Sequence, residues 1–442
     1  MNLTLSSNID RAFRKYVSTN MLSMLGSCIY VLADTFFVAQ GVGSIGLTAL
    51  NLVIPVYCFV NGFGMMIGMG ASTRYSILKG RGDRERSNEI FSQGMIVSAV
   101  FSIIVSALCV IFAEPICRFL GADAEVLPHA RIYMRILISF SAAFIIKDIF
   151  VFFVRNDDRP GLAMISILAG SVVNIILDYV FIMKLGWGMF GAAFATGFAP
   201  IVSLLIIAVH FIQKRNKFKF SWVKPKFADI KDMASLGVPG LIAELSYGVS
   251  MFAFNYVLLK ITGNIGVAAY SIIVNLLYVG MGLFMGAGEG IQPLVSINHG
   301  ARNTDNILTI YRKSFRLTLF MGIFFYLISL IFTDGLVKMF MNEPNQVLYG
   351  MTFKGMRIYN ISFIFAGVNI AVSTLFSSVA QPLQSFVISM IRAFIGVIVF
   401  VIVLPKIMGI TGVWLTMPLS EFISFIFGIY YMGVFRKLKK RS

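Results

Sequence analysis

The chain has 442 residues, of which 58% are hydrophobic and 13% charged, and a mean hydropathy of +0.84. Soluble domains carry roughly 45–50% apolar and about 25% charged residues, so this balance excludes a soluble globular protein and describes an integral membrane protein. The formal net charge of +17 does not point to nucleic acid, because the basic residues sit in short clusters between apolar runs, as loop charges do.

A membrane-spanning helix needs about 20 predominantly apolar residues. Such runs occur near 17–39, 48–73, 92–113, 132–154, 161–183, 190–212, 235–259, 267–294, 314–333, 356–377, 384–404 and 411–434, which predicts twelve spans. The polar, basic segment 1–15 precedes a run of span length, so a cleavable signal peptide is not expected. Loop charge sets orientation. With the N-terminus in the cytoplasm, 26 Lys and Arg fall on the inner side and nine on the outer side. This asymmetry predicts an even number of spans and both termini cytoplasmic; the expected location is the plasma (inner) membrane. The longest polar connection is "QKRNKFKFSWVKPKFADIKD" (213–232). It reads as a cytoplasmic basic linker between an N-lobe, 1–212 with spans one to six, and a C-lobe, 233–442 with spans seven to twelve.

The two halves repeat. "GSIGLTALN" (43–51) resembles "GNIGVAAYS" (263–271) at an offset of 220. The same offset holds without a gap through "SILKGRGD" (76–83) against "SINHGARN" (296–303) and "IFAEPI" (111–116) against "IFTDGL" (331–336). After an insertion, "RIYM" (131–134) matches "RIYN" (357–360), and Gly188 and Gly191 match Gly409 and Gly412. The fold class is therefore all-α, with two six-helix bundles related by a pseudo-two-fold axis along the membrane normal. Parallel repeats of this kind are a transporter design, with sites between or within the halves.

An ionisable side chain inside a span costs about 2.5–3.5 kcal/mol on insertion scales and so marks a candidate functional site. The candidates are Asp34, Lys147, Asp148, Asp178, Glu244, Glu289, Arg392 and Glu421. Asn174 and Asp178 are four residues apart and share one face of span five. Both Asp178 and Asp34 lie about a turn and a half below the outer end of their spans, and Thr196 lies at the same level in span six. If the four meet, two carboxylates in a low dielectric cannot both stay charged without a cation. They would hold a proton between them or bind a small cation, and oxygen donors of this kind suit Na⁺. The blander alternatives are that Asp178 reaches the outer interface, that Asp34 partners a buried amide, and that Thr196 bonds its own helix.

In the second half, Glu289 lies in "MGAGEGIQP" (285–293), where its repeat counterpart is Met69. The flanking glycines and Pro293 suggest close packing or a bent helix along a cavity. Glu244 in span seven falls near mid-depth. Either acid could attract a cationic substrate, or could serve as an inter-helix ion pair. Lys147 and Asp148 are adjacent and expected to point different ways without pairing. Arg392 and Glu421 can pair and are given no function. The 42 Phe, 16 Tyr and 24 Met could line an adaptable pocket or simply pack helices and face lipid. Cys28, Cys58, Cys109 and Cys117 read as buried thiols rather than a disulfide frame or a metal site. The scattered His129, His210 and His299 form no ligand set. No Walker, HExxH or nucleophile-elbow sequence occurs, so neither ATP chemistry nor an enzyme is expected, and no cofactor.

"ADTFFVAQGVGSIGLTALN" (33–51) and "NIILDYVFIMKLGWGMFGAAFAT" (174–196), together with the two-bundle repeat, resemble the multidrug and toxic compound extrusion (MATE) family of cation-coupled antiporters. The resemblance covers nearly the whole chain. It implies a V-shaped molecule that exchanges inward H⁺ or Na⁺ for amphipathic, often cationic or aromatic compounds by alternating access, acting as a monomer in membrane lipid. The family's N-lobe cation site falls on Asp34, Asn174, Asp178 and Thr196. Glu289 resembles what a MepA-like bacterial multidrug branch would carry, and Glu244 lies near a span-seven acid used in other branches. The nearest rival is a flippase for lipid-linked oligosaccharides or other lipids, which shares the fold and should place Arg or Lys in its central cavity. An intramembrane enzyme and a channel are more distant rivals, with no nucleophile set and no filter-like segment.

Overall fold

The structure is a computed structural model that describes residues 9–339 and 346–441, with side chains described to 437. The first eight residues of the polar segment 1–15, and the side chains of Lys439, Lys440 and Arg441 in the basic tail, lie outside it. Among the described residues the chain is helical, without strands. Among the described residues eleven helices are long and apolar enough to cross a membrane: Ile9–Gly41, Ser44–Gly80, Arg84–Ile111, Pro160–Lys184, Gly188–Ile212, Phe227–Thr262, Asn264–Gly300, Thr304–Ile331, Gln346–Ser378, Pro382–Met408 and Ile410–Lys437. The twelfth is the pair Leu127–Ser139 and Ser141–Asn156, bent by 45° and fourth in chain order. They are numbered here as spans one to twelve.

Several spans are longer than the apolar runs suggested. Span two has 37 residues, and at about 1.5 Å per residue it outruns a hydrocarbon core of roughly 30 Å. The excess is polar or glycine-rich helix that continues past the lipid. Span four breaks at Phe140, which the apolar run near 132–154 did not reveal. Spans five and eleven each contain a π-helical turn, Tyr179–Lys184 and Ile391–Ile395, a local widening common at functional sites.

The repeat is visible in backbone geometry. Gly43 and Gly263 both open a long helix at positive φ, 82° and 66°, which a Cβ would disfavour. Asp83 and Asn303 each cap the following helix, accepting from Arg86 N and Asn306 N at 3.1 Å. Ala113–Phe119 and Thr333–Met339 are matching short helices.

The bundles meet through glycines. A Cβ at Gly70 of span two would strike the Met233 carbonyl of span seven, and one at Gly237 would strike the Met66 carbonyl. Gly286 and Gly290 of span eight receive the backbone of span one, where a Cβ would lie 2.7 Å from Met21 Cα and 2.8 Å from Val17 Cα. Gly80 and its repeat mate Gly300 face each other, as residues on a two-fold axis must. Small residues at helix contacts are how helices approach closely in a membrane. In residues 62–78 of span two and 280–300 of span eight nearly every side chain is buried. Toward their other ends the same helices are buried along one stripe only, as at Gly46, Ala49, Leu50 and Val53. The bundles are thus pressed together near the face that carries the basic loops and part toward the opposite face.

The segment between the halves is strapped down. The backbone N–H groups of Lys219, Ser221 and Lys226 donate to Asn88 Oδ1, Ser92 Oγ and Gln93 Oε1 at 3.0, 2.9 and 2.8 Å. Phe218 is fully buried against Tyr75, Phe91 and Phe153. The start of span seven is fixed by Arg86, which donates to both Asp229 oxygens at 2.6 and 2.8 Å, and by Gln93.

The glycine seam sets a test. Gly237→Leu inserts a side chain where backbone meets backbone, and overpacking costs about 1–3 kcal/mol. Its melting temperature in detergent is expected to fall by several degrees, whereas Gly248→Leu, where a Cβ meets open space, should leave it unchanged.

Candidate functional site

Asn174 and Asp178 project from span five into the first bundle, both fully buried, and meet Asp34 of span one and Thr196 of span six, each 8% exposed. Depth along their helices puts these four at one level, and the fold brings them together. The Asn174 amide lies 3.5 Å from Thr196 Oγ1. With its nitrogen turned toward Asp178 it donates to Oδ2 at 3.2 Å, and its oxygen accepts from the Thr196 N–H at 3.3 Å. That amide orientation satisfies both ends and follows from the hydrogen bonding.

Asp34 contacts both Asp178 and Thr196. One oxygen of each acid, Asp34 Oδ1 and Asp178 Oδ1, is buried without a hydrogen-bond partner. Buried polar atoms are nearly always paired, so two orphan oxygens at one place leave room for a cation. Sequence reading missed a fifth member, Tyr133 of span four, whose ring lies beside Thr196 and the two acids. Nothing in the local sequence marks it, because the bend at Phe140 decides where span four points. The donors are two carboxylates, an amide and hydroxyls. These are hard oxygen ligands, and the two acids alone suffice for a proton.

Glu244 stands at mid-depth between the bundles, half-exposed, in contact with Asn61 and 3.2 Å from where a Cβ at Gly62 would lie. Four tyrosines stand around it: Tyr30 and Tyr57, which neighbour each other, and Tyr247 and Tyr278, with rings 6.1 Å apart. Glu289 is not on an open wall. It forms an ion pair with Arg155 of the other bundle at 2.6 Å. Span eight runs as one helix through Pro293, so its glycines serve close packing rather than a bend.

The remaining intramembrane charges are matched within the protein. Arg392 and Glu421 pair at 2.8 Å, and Asn369 donates to the same carboxylate at 2.6 Å. Lys147 and Asp148 do form an ion pair, against the expectation that neighbours on a helix diverge. A lysine stem is long enough to fold back along the helix, and a low dielectric rewards it for doing so. At the basic face, fully buried Asp157 accepts from the Lys217 N–H at 2.8 Å and lies 3.0 Å from His210 Nε2. That loop anchor was also not foreseen. The four cysteines are free and buried, as expected.

Two bundles of six spans, repeated in parallel with a polar cluster inside the first, define a class of multi-pass membrane protein whose sites lie within and between the bundles. The family model named MatE matches residues 20–180 and 239–402, and the chain belongs to that family. The multidrug export protein MepA of Staphylococcus saprophyticus is 23% identical over 423 residues, 94% of this chain and 92% of that protein. The protein of the same name from Staphylococcus haemolyticus is 24% identical over 417 residues, 94% and 91% of the two chains. Among solved structures, an outward-facing multidrug resistance MATE transporter of the MOP superfamily superposes with a TM-score of 0.93 at 21% identity, covering 99% and 98% of the chains. A MOP superfamily transporter from Pyrococcus furiosus, described by a binding pocket of reversed polarity, superposes at 0.90 with 22% identity, covering 97% and 96%.

Two facing acids with orphan oxygens carry a stability cost that one substitution should relieve. Asp178→Asn keeps the shape and supplies an amide donor toward Asp34. At alkaline pH without Na⁺, the purified variant is expected to gain roughly 1–2 kcal/mol, read as a higher melting temperature. An unchanged or lower value would contradict the proximity of two ionised acids.

Proposed function

We propose that the chain is a secondary active multidrug efflux antiporter of the plasma membrane, exporting amphipathic, often cationic compounds in exchange for H⁺ or Na⁺ by alternating access. The observation that carries this reading is the meeting of Asp34 and Asp178 beside Asn174 and Thr196, each acid with an unpartnered oxygen. A carboxylate pair in this setting changes charge when a cation arrives, and each ion then alters the packing of spans one and five. The staphylococcal relatives named as multidrug exporters supply the substrate class. Loop charge supports a cytoplasmic basic face and, with it, cytoplasmic termini.

In this reading the first lobe, 1–212, and the second, 233–442, move against one another, with 213–232 as the linker. Bundles pressed together at the basic face and parted opposite it correspond to an outward-open arrangement. The pair Asp34 and Asp178 takes up the ion from outside. Glu244, among its tyrosines, offers an organic cation a carboxylate and aromatic faces, and Glu289 offers a second carboxylate toward the cytoplasm. Ion and drug must favour different states for exchange to be coupled. The chain functions as a monomer in lipid, without a cofactor. The lipid-flippase alternative is less favoured, because the described intramembrane cations Lys147, Arg155 and Arg392 are each matched by an acid rather than held ready for a lipid phosphate.

Efflux of a cationic dye from vesicles under an imposed pH gradient, and separately under a Na⁺ gradient, tests the proposal. One gradient is expected to drive export, and Asp34→Asn and Asp178→Asn should each lower that driven rate at least tenfold, about 1.4 kcal/mol or more. Undiminished driven efflux in both variants would overturn it.

A further inference from the structure

We infer that Arg155 is a built-in competitor for the substrate's positive charge at Glu289, so that one carboxylate both latches the cytoplasmic side and receives the incoming cation. This rests on the antiport reading above. Arg155 ends span four in the first bundle and Glu289 lies on span eight in the second, so their 2.6 Å ion pair crosses between the bundles. Both side chains are nearly sealed, 2% and 9% exposed. Glu289 is closed in by its neighbours, since Gly286 and Gly290 receive span one and Gly288 meets Ile370. Yet Glu289 Oε1 has no hydrogen-bond partner, so Arg155 does not use up the carboxylate.

The pair is asymmetric. The repeat mate of Glu289 is Met69, which packs with Met65 and Phe152 in an apolar cluster. The Arg155 guanidinium lies over that same Phe152 ring at 5.2 Å. This buried ion pair therefore joins the bundles off the pseudo-two-fold axis. One turn further along span eight, Gln292 donates to Thr73 Oγ1 at 2.8 Å and meets its own repeat mate Ser72 at 3.4 Å. Glu289 and Gln292 thus form one polar seam toward the basic face.

When the bundles part at this face, Arg155 and Glu289 separate with them. A buried carboxylate that loses its cation is strongly disfavoured unless another takes its place. A cationic substrate entering from the cytoplasm supplies that charge and holds the seam open. When it leaves, Arg155 returns and the seam shuts. Arg155 is thus a positioning residue that ties closure to the absence of a positively charged substrate at Glu289, and a neutral substrate has no such hold on the seam.

The test uses the full-length protein with its four cysteines replaced and Ser76→Cys as a reporter. Ser76 is buried one turn beyond Ser72 on the seam face. Labelling by an impermeant thiol reagent is read in inverted vesicles, beside efflux of a permanently cationic dye and of a neutral amphiphile. In Glu289→Gln, labelling is expected to rise several-fold and dye efflux to fall at least tenfold. The swap Arg155→Glu with Glu289→Arg should restore low labelling and neutral efflux but not dye efflux, and it carries the test if the single variant does not accumulate. A swap that labels as heavily as a protein without the pair, or one that exports the dye at the parent rate, would overturn the inference. Absence of ion-driven efflux in the parent would instead defeat the antiport reading and leave the labelling result standing by itself.

Discussion

Two carboxylates facing one another inside a helical bundle cannot both carry charge unless a cation stands between them. Asp34 and Asp178 impose that condition, and much else in the first bundle follows from it. Asn174 spends its amide on Asp178 and Thr196, Tyr133 closes the site from span four, and an oxygen on each acid stays free. The π-helical turn at Tyr179–Lys184 begins directly after Asp178, so the acid sits at the point where span five can most readily change its winding. The second bundle carries its deepest acid differently. Glu421 is held by Arg392 and Asn369 and needs no external ion.

The bundles communicate through a seam of glycine and backbone. Contacts such as Gly70 on Met233 and Gly237 on Met66 are close enough that a side chain cannot enter. Packed interfaces of this kind move between discrete arrangements rather than deforming smoothly. The polar contacts along the seam, Arg155 with Glu289 and Gln292 with Thr73, give its closed form a definite register. The strap from Lys219 to Lys226 along span three binds the linker to the first bundle.

Much of this was legible in the sequence because membrane folds obey few rules. Span length, loop charge and the offset of 220 residues define two parallel bundles. Depth along each helix placed Asp34, Asn174, Asp178 and Thr196 at one level, and residues at one level need only adjacent helices to meet. What depth cannot give is azimuth. Tyr133 depends on the bend at Phe140. Arg155 counted as a loop cation because it ends a helix, although tertiary packing buries it against Glu289. Lys147 and Asp148 pair because the dielectric around them rewards it. The strap had a readable sign in Asn88, Ser92 and Gln93, a polar face at helical spacing on span three, but its partner, an extended linker, has no periodicity to read.

The central claim is that ion and substrate are linked through the charge state of the Asp34 and Asp178 pair. The most direct measurement is the number of protons or Na⁺ ions released when a cationic drug binds the purified protein, in parent and in the double variant Asp34→Asn with Asp178→Asn. Linkage requires that drug binding and ion binding alter one another equally. The account predicts measurable ion release by the parent and none by the double variant, with drug binding retained. Equal release by both, or drug binding by the parent with no release, would contradict it.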